Sequence, residues 1–271
     1  MDQPAPLETW SSGDAYERFM GRWSLLVARE FVRWLEVSPA SCWLDIGCGS
    51  GALTRTALEL ASPSAVLGLE PSAGFSVSAR RLTEDQRAQF AQGDACALPC
   101  RAGGFDVVVS GLVLNFVPDP AMALAEMART AQPGGTVAAY VWDYSDGMQM
   151  LRYFWDAAAS LDPAAAALDE GRRFLLCRPG PLAELFRSAG LADVEVRPLD
   201  VPTVFRDFED YWAPFLSGQG PAPGYAVALT DSRRTALKDH LFATLPGSPD
   251  GDIRLTARAW AVRGGVGSRM A

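Results

Sequence analysis

The stretch Trp43-Leu44-Asp45-Ile46-Gly47-Cys48-Gly49-Ser50-Gly51 limits the fold more than any other part of the chain. It is an apolar run of strand length, closed by three alternating glycines. Ala52 to Leu60 follows with Leu53, Ala57 and Leu60 at helical spacing, so the local expectation is strand, turn, helix. Gly47, Gly49 and Gly51 have no Cβ, so the turn is free to adopt left-handed torsions and a ligand can lie directly against the backbone. Such a turn opens a doubly wound parallel sheet, in which ligands gather at the carboxyl ends of the strands. The dinucleotide fingerprint G-x-G-x-x-G presents a helix start to a pyrophosphate, but here Asp45 precedes the first glycine and would repel one. A ligand carrying an ammonium group suits Asp45 better.

The segments that follow extend the same pattern. Ala65 to Glu70 reads as a second strand, and Pro71-Ser72 opens the next helix. Glu70 lies about 20 residues beyond the glycines, the spacing at which an acidic side chain accepts from ribose hydroxyls. Ala88 to Gln92 is the expected third strand, ending in Gly93-Asp94-Ala95; Asp94 reads either as a ligand contact or as an ordinary turn aspartate. Phe105 to Gly111, with Ser110 near its end, has the β-branched character of a central parallel strand. Asn115 follows, able to bond an acceptor molecule or to satisfy the backbone locally. A helix begins at Asp119-Pro120, and a Pro133-Gly134-Gly135 turn leads into the strand Thr136 to Trp142.

From Cys42 to Asp143 these ordered motifs resemble the class I S-adenosylmethionine-dependent methyltransferases, in particular the small-molecule subgroup called methyltransferase type 11, or ubiquinone-menaquinone biosynthesis-like. The resemblance implies an α/β fold: a Rossmann-like, doubly wound seven-stranded sheet with an antiparallel edge hairpin and a helical lid inserted before the last strand. It implies S-adenosyl-L-methionine as cofactor, held by Asp45, Gly47, Cys48, Gly49, Gly51, Glu70, Pro71, Asp94, Ala95 and Ser110, with Asp94 at the adenine amino group. Members of the subgroup often cover the cofactor with a leading helix, which makes Tyr16 and Arg22 further candidates. They often carry histidines after the fourth strand, where this chain has Leu114-Asn115-Phe116, so no histidine base is expected there.

The remaining chain fits around this core as one domain, 1–271. A helix over 14–36 is expected from the period of Phe19, Trp23, Val27, Phe31 and Trp34, and the cofactor-binding core spans 40–143. Segments 181–201 and 252–264 read as completion of the sheet, and 144–178 and 202–251 as the helical lid. The lid segments are rich in aromatics that chiefly pack it. Trp142, Asp143, Tyr144 and Trp212, with Asn115, are the candidates to contact the acceptor.

The formal net charge of −8 opposes sequence-independent attraction to nucleic acid, and no run approaches the length of a membrane span. Met1-Asp2-Gln3-Pro4 lacks the features of an export signal, so a cytoplasmic protein is expected. Five cysteines form no disulfide framework, and with His240 as the single histidine no metal site is expected. The expected function is methyl transfer by in-line displacement to a small, partly apolar acceptor. The alternative is a regulatory or assembly protein that binds the cofactor without turnover; a dehydrogenase is disfavoured by Asp45. The catalytic residue is left open, since Asp143, Tyr144, His240 or no base at all would serve different acceptors, and His240 reads more readily as structural. The sequence leaves the oligomeric state undetermined.

Overall fold

The protein is described by a computed structural model, in which residues 20–218, 220–247 and 251–267 are the described residues. They divide into two compact units. A sheet unit comprises Ser24–Trp142, Leu176–Leu199 and the described chain from Ala259; a helical unit comprises the described residues through Trp23, Asp143–Leu175 and Asp200–Arg258.

The elements begin with α1 (Arg22–Leu35), β1 (Cys42–Ile46), α2 (Ala52–Leu60), β2 (Ala65–Leu69), α3 (Ala73–Leu82), β3 (Ala88–Ala91), β4 (Phe105–Gly111), α4 (Pro120–Thr130) and β5 (Ala131–Trp142). They continue with α5 (Gln149–Leu161), the single turn α6 (Glu170–Arg173), α7 (Pro179–Ser188), β6 (Ala192–Phe205), α8 (Phe208–Trp212), α9 (Pro221–Ala228), α10 (Asp231–Thr244) and β7 (Ile253–Gly265). Tyr16 and the first residues of the expected leading helix lie outside the described residues.

The seven strands form one sheet in the order β3-β2-β1-β4-β5-β7-β6. Strands β1 to β5 pair in parallel, and β7 runs antiparallel to β5 from Thr136↔Gly265 to Trp142↔Ala259. This is the expected Rossmann-like sheet with its antiparallel edge. Val107, Val108 and Val109 of β4 are at most 1% exposed, as expected of a parallel strand covered on both faces. The chain order reverses between β1 and β4, and the crevice at such a reversal receives ligands.

Local chemistry sets the element ends. Ser72 caps α3 by accepting from the Phe75 amide, and Asp119 caps α4 by accepting from Met122 N at 2.9 Å, with Pro120 in the first turn. The Pro-Gly-Gly segment is a protrusion in the ladder: Phe105 pairs with Ala131 and Val107 with Thr136, so residues 132–135 bulge out opposite Asp106. Asp106 ties this edge together, accepting from Cys42 N at 2.7 Å and from Gln132 Nε2 at 2.5 Å. In the helical unit Phe154 stacks on Phe215 with ring centroids 4.4 Å apart, and Tyr211 donates to the Met150 carbonyl at 2.9 Å. Phe154, Trp155, Phe205, Tyr211 and Phe215 are all buried, so these aromatics are core.

Candidate functional site

The glycine turn is held from beneath by the second strand. Gly47 N and Cys48 N both donate to the Leu69 carbonyl, at 2.8 and 3.1 Å, and Gly51 N donates to Cys48 O at 2.8 Å. Gly47, Gly49 and Gly51 have φ of +67°, +54° and +84°, which is why all three positions carry glycine. Their surroundings differ. A Cβ on Gly47 would lie 2.6 Å from Val113 Cγ1, whereas one on Gly49 would meet nothing nearer than Phe75 at 4.0 Å. Gly49 is therefore where a ligand can approach the backbone; Gly47 is glycine because of the protein's own packing.

Three acids belong to the strand ends around this turn. Glu70, directly after β2, accepts from Gly49 N at 3.1 Å through Oε2 and from Ser72 N at 2.9 Å through Oε1. It thus joins the glycine turn to the start of α3. Burial raises its pKa, and the two amide bonds oppose the rise. Asp45 in β1 is 1% exposed, and its Oδ2 accepts from the Thr54 hydroxyl of α2 at 2.6 Å. Its Oδ1 is buried without a partner among the described residues. Burial pushes the Asp45 carboxyl up to about 7, the Thr54 bond pulls it down, and the Glu70 charge adds to the rise. Asp94 is exposed and accepts from Cys96 N at 2.9 Å, the bond of a turn-forming aspartate.

Helix α4 braces the loop that carries Asp94. Leu98 N donates to Glu126 at 2.8 Å, and Arg129 donates to the carbonyls of Cys100 at 2.9 Å and Leu98 at 3.2 Å. Ser110 is fully buried and donates to the Ile46 carbonyl at 3.0 Å, pinning β4 to β1. Asn115 lies in a single turn after β4, and both polar atoms of its amide are buried without partners among the described residues. Leaving such groups unpaired costs about 1–3 kcal/mol each.

The other expected site residues have separate settings. Arg22, in the helical unit, donates to Asp210 at 3.2 Å with its guanidinium 4.4 Å from the Trp23 ring centre. Asp143, also of that unit, accepts from Asp146 N at 3.2 Å; burial raises its pKa while Arg258 opposes the rise. Tyr144 packs on Phe174 at 5.5 Å, Trp212 on Phe215 at 6.1 Å, and Trp142 is buried at the end of β5 in the sheet unit. The helical unit also contains a carboxyl that periodicity did not single out: Glu170, 3% exposed, accepts from Trp155 Nε1. Burial pushes it up to about 7. Beside it in the chain, Asp169 pairs with Arg152. Thr54 was missed too, since a threonine at helical spacing gives no sign of its carboxylate partner in the preceding strand.

These residues fit an S-adenosylmethionine-type ligand. An unpaired carboxylate oxygen suits a cationic group, an acid at the end of β2 suits a diol, and the space over Gly49 admits close approach. Among the described residues no cluster of His, Cys, Asp and Glu could hold a metal ion, and no helix is long and apolar enough to cross a membrane.

A family model described as "Methyltransferase domain" matches residues 44–139. A demethylmenaquinone methyltransferase of Roseiflexus castenholzii is 30% identical over 175 residues, covering 59% of this chain and 72% of that protein. A 2-methyl-6-phytyl-1,4-hydroquinone methyltransferase of Synechocystis is 30% identical, covering 67% of this chain and 57% of the relative. An uncharacterized 37.1 kDa protein of transposon TN4556 from Streptomyces fradiae is 33% identical, covering 59% of this chain and 50% of the relative. The chain thus spans only about half the length of these last two relatives. Among solved structures, a Haemonchus contortus phosphoethanolamine N-methyltransferase in complex with S-adenosyl-L-methionine has a similar fold. Its TM-score is 0.57 at 18% identity, over 95% of this chain and 57% of that one.

Proposed function

Because the chain belongs to the class I S-adenosylmethionine-dependent methyltransferases, we propose that it methylates a small, partly apolar organic acceptor, and that hydroquinone-like aromatics are the acceptor class. The observation that carries this reading is the trio of strand-end features around one open glycine: the unpaired oxygen of Asp45, the carboxylate of Glu70 and the space over Gly49. The relatives named for demethylmenaquinone and for a phytyl-hydroquinone support the acceptor class.

In this reading Asp45 holds the ligand's ammonium, Glu70 its ribose hydroxyls and Asp94 its adenine amino group. Gly47, Cys48, Gly49, Gly51, Pro71, Ala95 and Ser110 shape the surrounding wall. When bound, S-adenosylmethionine would supply a methyl group activated by a thioether leaving group, and in-line attack by the acceptor on that methyl would release S-adenosylhomocysteine. The protein's share is chiefly to hold the acceptor's reacting atom in line and about 3–3.5 Å from the methyl carbon, which can supply a large part of the rate. Asn115, whose amide lacks partners for both its donor and its acceptor atom, is the side chain we assign to a hydroxyl of the acceptor. Trp142, at the end of β5 in the sheet unit, is proposed as an apolar acceptor contact.

The test is calorimetric titration with S-adenosylmethionine, S-adenosylhomocysteine and NAD, followed by transfer of labelled methyl to a panel of hydroquinones and simple phenols. Binding of the first two ligands and labelling of at least one hydroquinone is the expected result. Binding of NAD alone overturns the cofactor assignment; tight binding with no labelled hydroquinone overturns the acceptor class.

A further inference from the structure

The buried pair Asp45–Thr54 carries an inference that deepens the cofactor reading and rests on it. Thr54 is fully buried on α2 and its hydroxyl donates to Asp45 Oδ2 at 2.6 Å, while Oδ1 is buried with no donor among the described residues. A carboxylate so placed is desolvated with only one of its oxygens hydrogen-bonded, and it can resolve this in two ways: take up a proton, or acquire a cation nearby. We propose that binding of a ligand's ammonium group at the glycine turn expels a proton from Asp45 to solvent, and that Thr54 is the positioning residue that sets the pH at which this happens.

Burial and the neighbouring carboxylate act on Asp45 in one direction, and Thr54 acts in the other. Glu70, one strand over, is a second carboxylate and favours the protonated form. Cys48, two peptide bonds past Ile46, is held neutral because burial pushes its thiol up, and Arg80 acts on that thiol only in opposition. Only the Thr54 bonds favour the ionised form, and in the free protein the Asp45 carboxyl titrates at about 7. The ligand's ammonium group adds the missing counter-charge, and the reaction balances as protonated Asp45 plus ligand ammonium giving the carboxylate–ammonium pair plus one released proton. The sign follows: the bound carboxyl has the lower pKa, so apparent affinity rises with pH up to about 7 and levels off above it. Below about 7 the expected slope approaches tenfold per pH unit.

The experiment is calorimetry with S-adenosylhomocysteine between pH 5.5 and 7, each point repeated in buffers of different ionisation enthalpy, which counts protons released. Adenosine, which lacks the ammonium group, serves as the neutral control. Wild type is expected to release close to one proton at the acid end, falling to about half near pH 7, and adenosine none. Asp45→Asn should abolish the release, separating it from any contribution of Glu70. Thr54→Val should move the midpoint to higher pH, and Thr54→Ser should restore it, an outcome that a purely packing role of Thr54 would not produce. Wild type that binds S-adenosylhomocysteine with no proton release overturns this inference alone. Wild type that binds neither S-adenosylhomocysteine nor S-adenosylmethionine overturns the cofactor reading beneath it.

Discussion

Asp45, Glu70 and Gly49 meet because the ends of the paired strands β1 and β2 lie side by side, and each has a separable role. Glu70 receives two backbone amides and orders the turn, while Asp45 retains an unpaired oxygen. Asp45→Ala and Glu70→Ala should each weaken S-adenosylhomocysteine binding about tenfold to a hundredfold, the cost of losing one charged hydrogen-bonding group, with far-ultraviolet circular dichroism unchanged. Unchanged affinity in both variants would remove these carboxylates from the site. The glycines should separate as well. Gly47→Ala forces a Cβ onto Val113 and should lower the melting temperature, whereas Gly49→Ala has room and should reduce ligand affinity in larger proportion than stability. Glu170 supplies a pH test of stability. Its carboxyl is raised to about 7 in the folded state, so the folded protein binds more protons than the unfolded chain between about 4.5 and 7. The stabilising contribution is complete below about 4.5 and disappears as pH rises through about 7. Glu170→Gln should flatten the decline in thermal stability from pH 5 to 7.5; an identical decline in the variant would show that Glu170 is not the titrating group.

At the level of elements, the brace from α4 is the less obvious feature. Glu126 and Arg129 pair with each other and hold Leu98 and Cys100, so an outer helix determines the shape of the loop that presents Asp94. Arg129 is 37% exposed, and solvent screening leaves its ion pair a modest share; the effect is carried by the carbonyls it fixes. Arg129→Ala should reduce S-adenosylhomocysteine affinity about threefold and raise hydrogen exchange across residues 94–100, with little change in melting temperature. Strand–turn–helix units were readable because glycine, proline and capping residues mark their ends. Asp119-Pro120 and Ser72 fall where the helices begin. The expected turn at Pro133 to Gly135 proves to be a bulge within β5, because strand pairing resumes on both sides of it, and β6 extends to Phe205, beyond the 181–201 segment expected to complete the sheet. A ladder continues wherever a neighbouring strand offers partners, which local sequence does not report.

For the whole molecule, a ligand that binds the folded state alone stabilises it by about 2.7 kcal/mol at a hundredfold excess over Kd. S-adenosylhomocysteine should therefore raise the melting temperature and concentrate its protection from hydrogen exchange on the glycine turn, the start of α3 and the 94–100 loop. Protection confined to the helical unit would place the ligand elsewhere. The aromatic stretches Tyr144 to Leu176 and Pro202 to Gly251 read as a packed helical region, and Phe154, Trp155, Tyr211 and Phe215 form such a core. The sequence by itself determined the succession of strands and helices and the glycine turn with its acid, because these depend on period, torsion and capping within a few residues of one another; the antiparallel edge of the sheet followed from the resemblance to a known family. Only the tertiary structure decided that Thr54 bonds Asp45, that Val113 closes over Gly47, that Ser110 is committed to the Ile46 carbonyl and that Glu170 is buried against Trp155. Each of those facts is a contact between elements, and the burial and charge that give a carboxyl its proton affinity exist only once the elements are packed.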